Sequence, residues 1–523
     1  MRNDETTQVL IVGGGYAGLA ASVFLSHHGI SSVLVDRHPG LSIQGRARGI
    51  NPRTMEIYRC LGLEAPIVDA GRPFQDDAGG AYCETLAGEW KWIFPPETPM
   101  SFPDVSPCGW SLADQNAVEP VLISAARARG AVQHFGTEVE SVAATPDAVT
   151  ATVTDRISGE RRDIRAEYLI AADGQRSPIR QRLGIERTGP GIVRDHVGIV
   201  FEADLSAHLK RRALLWFIRN DRAGQAVMLT TAQPGRWSVQ VDYDPASEGV
   251  DDFTDERCER LIRDVVGDPD VKVRVLDRQV WAQGVAVADE FRRGRVFLAG
   301  DAAHVWSPAG GIGANTGVQD CWNLSWKLAA VLNGWASPSL LDTYHAERHP
   351  VAAVLAELTE ERQRIRTGSD PGDDRTDDRL WMFGQRYWSR AVVDPGHDTV
   401  FASALDLHAQ PGTRAPHLWI EHDGERRSTH DLFGDGFAVL TGPGGSFWAE
   451  AASRVGHRLG VPLAAHRVGT DLTDVDDVWR DRYRVGDGGA VLVRPDGYVA
   501  WRHPRIAAGH EGRLSAALHS ILG

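Results

Sequence analysis

Apolar and polar positions alternate in distinct ways along the chain. In residues 8–36, QVLIV is a short apolar run, GGGYAG a glycine-rich turn, AGLAASVFLSHHG a helical stretch ending at Gly29, and SSVLVDR a second buried strand. Two later apolar runs end in a similar Gly/Asp turn: EYLIAADG at 167–174 and GRVFLAGDAAH at 294–304. Between them HVGIVFEADL, RALLWFIRN and RWSVQVDYD alternate with period two, predicting a largely antiparallel sheet over 190–285, with a helix near 254–266. Residues 314–334 and 338–366 are expected to form amphipathic helices, and the polar run 367–379 an exposed loop. Beyond about residue 400 a separate strand–helix alternation begins, with GAVLVRPDGYVAWR as a hairpin around Pro495, Asp496 and Gly497. The pattern is α/β.

At 523 residues the chain exceeds a single core, so two or three domains are expected. Seventy acidic against 56 basic side chains give a net charge of −14, which argues against a nucleic-acid partner. No apolar stretch approaches the roughly 18–20 residues of a membrane span. Cys60, Cys83, Cys108, Cys258 and Cys321 are scattered without CxxC spacing, which speaks against structural zinc or a disulfide framework and fits a reducing cytoplasm.

Gly13, Gly15 and Gly18 form a GxGxxG turn between strand and helix, and Asp36 ends the next strand. Such glycines let a pyrophosphate approach the helix N-terminus, while the acid accepts ribose hydroxyls. This geometry does not separate FAD from NAD. Asp301, at another strand end, is placed to accept a hydroxyl from a polyol chain. The segment Pro308 to Gly313 opens a long helix with bare N–H groups, suited to negative charge on a flavin ring.

GGGYAG, GRARGINPRTMEIYR, ADQNAVEPVL, AADGQRSPIR and GDAAHVWSPAGGIGANTGVQDCWNLSWKLA together resemble the FAD-dependent aromatic hydroxylases with the p-hydroxybenzoate hydroxylase fold. The tail ending AVLVRPDGYVAWR is similar to the thioredoxin-like C-terminal domain of the phenol-hydroxylase and aromatic-polyketide-hydroxylase branch. The resemblance implies a Rossmann-like FAD domain (1–75, 101–189 and 286–395), an inserted, mainly antiparallel substrate domain (76–100 and 190–285), and a thioredoxin-like domain (400–523) without CxxC.

It further implies that Gly13, Gly15 and Gly18 hold the FAD pyrophosphate and that Asp36 meets the adenosine ribose, with Arg37 also among the cofactor-binding residues. Arg46 (or Arg48) would meet flavin or pyrophosphate, Gln115 would contact FAD, and Val139 would contact adenine through its backbone. Asp173, with Arg176, belongs to a motif linked to FAD and reduced nicotinamide. Asp301 would bind the ribityl chain, and Pro308, Gly311, Gly313 and Asn315 would line the isoalloxazine. NADPH or NADH would bind transiently, O₂ would give a flavin C4a-hydroperoxide, and a polycyclic aromatic polyketide would be hydroxylated; a homo-oligomer is compatible with this. Baeyer–Villiger insertion, small-phenol hydroxylation and non-catalytic binding of an aromatic antibiotic are the alternatives.

Trp92, Trp216, Met228, Trp237 and Trp281 are candidates to wall the substrate pocket, although aromatics alternating in a strand also suit a core. Tyr82, His196, Arg219, Tyr243 and Tyr387 are conceivable bases, none singled out by the residues. The string Trp90-x-Trp92-x-Phe94-Pro95 echoes flavin-dependent halogenases, but it falls too early in the chain and lacks the expected lysine after the glycine turn.

Overall fold

The computed structural model describes residues 5–44, 47–366, 377–505 and 508–523. Arg46 and most of the polar run after 366 therefore lie outside the described residues. The strand Glu5–Val12 runs parallel to Ser32–Asp36 on one side and Arg161–Ala171 on the other, and Val132–Phe135 and Val296–Leu298 extend the sheet in parallel. Consecutive residues of these strands, such as Val9, Leu10 and Ile11 or Leu169, Ile170 and Ala171, are all buried, so both faces of the sheet are covered and the strands read as continuous apolar runs. Helix α1 (Tyr16–His27) follows the first strand, and α2 (Pro52–Cys60) starts at Asn51, whose carboxamide accepts the Thr54 N–H at 2.9 Å.

A second sheet is built from Arg187–Glu202, Arg236–Asp242, Gly224–Thr230 and Leu215–Asn220, with Arg274–Ala288 beyond the first of these. Gly80–Cys83 and Trp90–Phe94 complete its far edge, and His304–Val305 its near edge. Helix α3 (Asp255–Val266) seals one face with Cys258, Ile262, Val265 and Val266. On the opposite face Gln44, from the loop after Ser32–Asp36, donates to Asp277 at 2.5 Å.

Helix α4 (Ile312–Leu332) packs on α1, and α5 (Asp342–Arg366) lies nearby. The expected amphipathicity of α4 is not found: it is buried on nearly every side, because Trp326 and Ala330 enter a core shared with the C-terminal unit. In that unit the sheet order is Leu463–Arg467, Phe437–Thr441, Ala490–Val493, Val499–His503, with the first pair parallel and the others antiparallel. This is a thioredoxin-like order, with Gly442 to Gly445 at the turn where a dithiol would stand and no cysteine from 400 onward. Among the described residues no helix is long and apolar enough to cross a membrane.

Candidate active site

Three turns at the carboxyl ends of the parallel strands meet. Gly13 has φ +110°, and a Cβ there would collide with the Ala172 carbonyl; a Cβ on Gly18 would collide with the Gly13 carbonyl. A Cβ on Gly300 would stand 2.8 Å from that of Ala17, and one on Gly317 would be 3.1 Å from Gly300 Cα. Gly15 differs: a Cβ there would meet nothing within 4 Å. Two glycines of the motif thus serve close packing, and the third leaves open space at the start of α1, where no side chain caps the first N–H groups.

Asp36 Oδ2 accepts the Gly14 N–H at 2.6 Å and Oδ1 accepts the His38 N–H at 2.7 Å, so the acid also braces the glycine turn. Arg37 is exposed beside it. Asp173 accepts Ser177 Oγ–H at 2.6 Å and the Ile179 N–H at 3.1 Å, capping a short helix; burial nevertheless raises its pKa. Asp301 sits exposed at the rim, and its carbonyl accepts Arg187 at 2.6 Å. Burial lowers the Arg187 guanidinium to about 10. The turn bearing Asp301 is anchored from below by Asp320, which pairs with His304 at 2.6 Å and Arg348 at 2.8 Å; despite burial, these partners hold its carboxyl below the ordinary value.

The turn bearing Asp301 borders a cleft of about 120 Å³ lined by Gln175, Trp281, Gln283, Asp301, His304, Trp306 and Gly313, among others. Helix α4 starts here, with Gly311 at φ +64° as its N-cap and no side-chain cap on its first N–H groups. Pro308 is exposed just before it. Asn315 departs from the expectation that it lines the ring. Its side chain is buried, with Oδ1 accepting the Asn51 N–H at 3.0 Å and Nδ2 donating to the Gly49 and Gly311 carbonyls at 3.1 and 2.8 Å. It brackets the turn instead. The Arg48 side chain is buried over the Phe74 ring and bonds Thr230 through Oγ1 and the carbonyl, tying its own short strand to the second sheet. Gln115 donates its N–H to the Ala47 carbonyl at 2.9 Å and its amide to Glu119 at 2.5 Å. Val139 lies in the strand Thr137–Ala144, whose ladder becomes irregular immediately after it.

Strand parity corrects the substrate candidates. Ile199, Val239, Met228, Trp216, Ala81 and Trp92 form one cross-strand row, and Phe201 and Trp237 belong to the next row on that face. Trp216, Met228 and Trp237 are fully or nearly fully buried under α3, and Trp92 packs against the same core. They are core residues. The facing rows are Gly198, Gln240, Val227, Phe217, Tyr82 and Val200, Ser238, Leu229, Leu215, Gly80. Here Tyr82, Leu215, Phe217, Val227 and Leu229 are only half-buried, the signal that parity, rather than residue size, could have supplied.

Trp281 does reach the cleft, donating Nε1–H to Gln240 at 2.6 Å and stacking on His196 at 4.4 Å. His196 Nδ1 lies 2.9 Å from Asp242. Of the other conceivable bases, Tyr387 is buried with its hydroxyl accepting Arg348 at 3.0 Å, Tyr243 packs on Phe253 under α3, and Arg219 is exposed.

A family model for an FAD binding domain matches residues 6–359, and one for the C-terminal domain of aromatic-ring hydroxylases matches 408–523. The chain is 40% identical to tetracenomycin A2 monooxygenase-dioxygenase of Streptomyces glaucescens, over 99% of this chain and 97% of that one. It is 39% identical to 4-methyl-5-nitrocatechol 5-monooxygenase of a Burkholderia species, over 99% and 98%. A solved ternary complex of aklavinone-11 hydroxylase with FAD and aklavinone superposes with a TM-score of 0.91 at 37% identity, covering 99% of each chain. The chain belongs to the FAD-dependent aromatic-ring hydroxylases, and FAD is its cofactor.

Proposed function

We propose that the protein hydroxylates a flat, polycyclic aromatic polyketide, using NADPH or NADH and O₂. The observation that carries this reading is the half-buried apolar face made by Tyr82, Leu215, Phe217, Val227 and Leu229, on the side of the second sheet away from α3. An apolar surface left half open suits a planar ring system more than water. The names of the polyketide-modifying relatives support it.

In this reading the open space at Gly15 and the start of α1 hold the pyrophosphate, Asp36 and Val139 meet the adenosine side, Arg37 and Gln115 contact FAD, and Arg46 is assigned to the flavin or pyrophosphate. Asp301 holds the ribityl chain, Asp173 supports the adjoining turn, and the first turn of α4, from Pro308 through Gly311 and Gly313, faces the ring. Bound FAD supplies the reduced centre at which O₂ is activated. The apolar face excludes water from the substrate and holds it flat. His196, backed by Asp242 at 2.9 Å and fixed against Trp281, takes the proton from the substrate phenol. This goes with a discontinuous FAD domain (1–75, 101–189, 286–395), a substrate domain (76–100, 190–285) and a thioredoxin-like domain (400–523).

Anaerobic reduction of the holoenzyme by NADPH or NADH, with and without a polycyclic polyphenol, followed by admission of O₂, tests the reading. Substrate-stimulated reduction and a product one oxygen heavier, with a new phenol by NMR, are expected; a lactone would show Baeyer–Villiger insertion instead. The similarity to a nitrocatechol monooxygenase favours small catechols as the second substrate class, to be run in the same assay.

A further inference from the structure

A cluster of fully buried charged side chains lies where the C-terminal unit meets α4 and α5. Asp496, at the tip of the hairpin between Ala490–Val493 and Val499–His503, is 2% exposed. Its carboxylate accepts Trp326 Nε1–H at 3.1 Å, Asn323 Nδ2–H at 3.4 Å and the Arg494 guanidinium. Its carbonyl accepts Arg53 at 2.9 Å and Trp322 Nε1–H at 3.3 Å. Beside it Glu347 of α5 takes Arg494 at 2.6 Å and Lys327 at 2.7 Å.

These contacts close a ring through the hairpin tip, α4 and the start of α2. From Asp496 one arm runs into α4 at residues 322–326 and along that helix to Asn315. Asn315 binds the N–H of Asn51, the N-cap of α2, at 3.0 Å. The other arm runs from the Asp496 carbonyl to Arg53, in the first turn of α2. One helix, about 14 Å long between residues 313 and 322 at 1.5 Å per residue, joins the hairpin tip to the first turn of α4. A buried ionic cluster is a weak source of stability compared with apolar packing and is better suited to fixing a register. The unit that supplies it holds no thiol for disulfide exchange.

We propose that Asp496 is a positioning residue for the flavin site: the hairpin tip of the thioredoxin-like unit sets α4 against α2, and thereby the place of the first turn of α4. The proposal rests on the reading that this turn faces the flavin ring.

The test uses full-length holoenzyme carrying Asp496→Asn, which keeps the shape and removes the charge. Expected are about tenfold weaker FAD binding, an altered visible circular dichroism of the bound flavin, and about tenfold less preference for reduced over oxidised FAD. That last ratio corresponds to a two-electron potential lower by about 30 mV. Trp326→Phe, which removes one donor to the carboxylate and keeps the ring packed, should move the same readouts in the same direction by less. An FAD-saturated Asp496→Asn protein with the wild-type potential and dichroism overturns the proposal, even if its melting temperature falls. If that variant does not fold, Trp326→Phe and Trp322→Phe decide by the same readouts, and no change in either overturns it. Failure of the wild-type chain to bind FAD would instead sink the flavin reading itself.

Discussion

Trp216 and Phe217 are neighbours in one strand and face opposite sides of the same sheet: Trp216 is fully buried against the α3 core, while Phe217 lies half-buried with its ring 5.4 Å from Tyr82 on the other face. Their truncations should therefore separate. Trp216→Ala opens a cavity under α3 and is expected to cost about 3–5 kcal/mol of stability. Phe217→Ala should leave the melting temperature nearly unchanged and raise KM for the aromatic substrate several-fold. Thermal melts and steady-state kinetics on both variants check this; a Phe217→Ala enzyme with unchanged KM would remove that ring from the substrate surface.

Gly13→Ala should be far worse than Gly15→Ala. At Gly13 a Cβ runs into the Ala172 carbonyl and φ is +110°, so strain and collision combine, with an expected loss of at least about 3 kcal/mol. At Gly15 a methyl meets no protein atom, so the fold should hold and only FAD affinity should fall. Melting curves of the apo-proteins and FAD titration by fluorescence quenching separate the two effects.

Much of this arrangement was legible in the sequence, for physical reasons. A parallel strand ending in glycine and aspartate has few ways to fold, so the turns at residues 13–18, 172–174 and 300–301 could be read from their residues alone. The antiparallel sheet declared itself by its period of two. What the period does not state is which parity faces α3, and the large aromatics drew attention to the wrong one: Trp216 and Trp237 fill a core, while Phe217 and Leu229 stand on the open side. The roles of Asn315 and Asp496 were hidden for another reason. Each bonds residues more than 150 positions away, and no local pattern records such a contact.

Asp36 bonds two backbone N–H groups of its own and the neighbouring turn, so Asp36→Ala should both loosen the glycine turn and remove a ribose acceptor. FAD affinity is expected to fall about tenfold or more, in line with losing charge-assisted hydrogen bonds of about 1.5–3 kcal/mol. Asp301→Ala should also weaken FAD retention, with a smaller effect on apo-protein stability than Asp36→Ala, since its carboxylate is exposed at the rim beside Arg187. Flavin content after purification and apo-protein melting temperatures distinguish the pair.

His196→Gln should lower kcat by about 10²–10⁴ while changing KM little, because the imidazole is assigned to proton removal and not to holding the ring. Flavin reduction by nicotinamide in the absence of substrate should be unaffected. Stopped-flow traces that show normal oxygen transfer in this variant would move the base elsewhere, with Tyr82 the next group on that face.

Acid should loosen the C-terminal unit before it protonates ordinary carboxylates. His417 is 6% exposed, with Nδ1 2.8 Å from Ser428 Oγ. Burial, helped by the positive charge of Arg414, lowers its pKa to about 4. In the unfolded chain it titrates near 6.5. Between these values the unfolded chain holds the proton and the folded chain does not, so folding stability falls as pH drops from about 6.5 to about 4. At 1.36 kcal/mol per pH unit this one residue contributes about 3 kcal/mol of that loss. Buried His430, whose pKa is also pushed well down by burial, adds to the loss in the same direction. Denaturant unfolding measured across this range should show the decline, and His417→Gln should make it shallower; an equally steep curve in that variant would show that His417 is not its source.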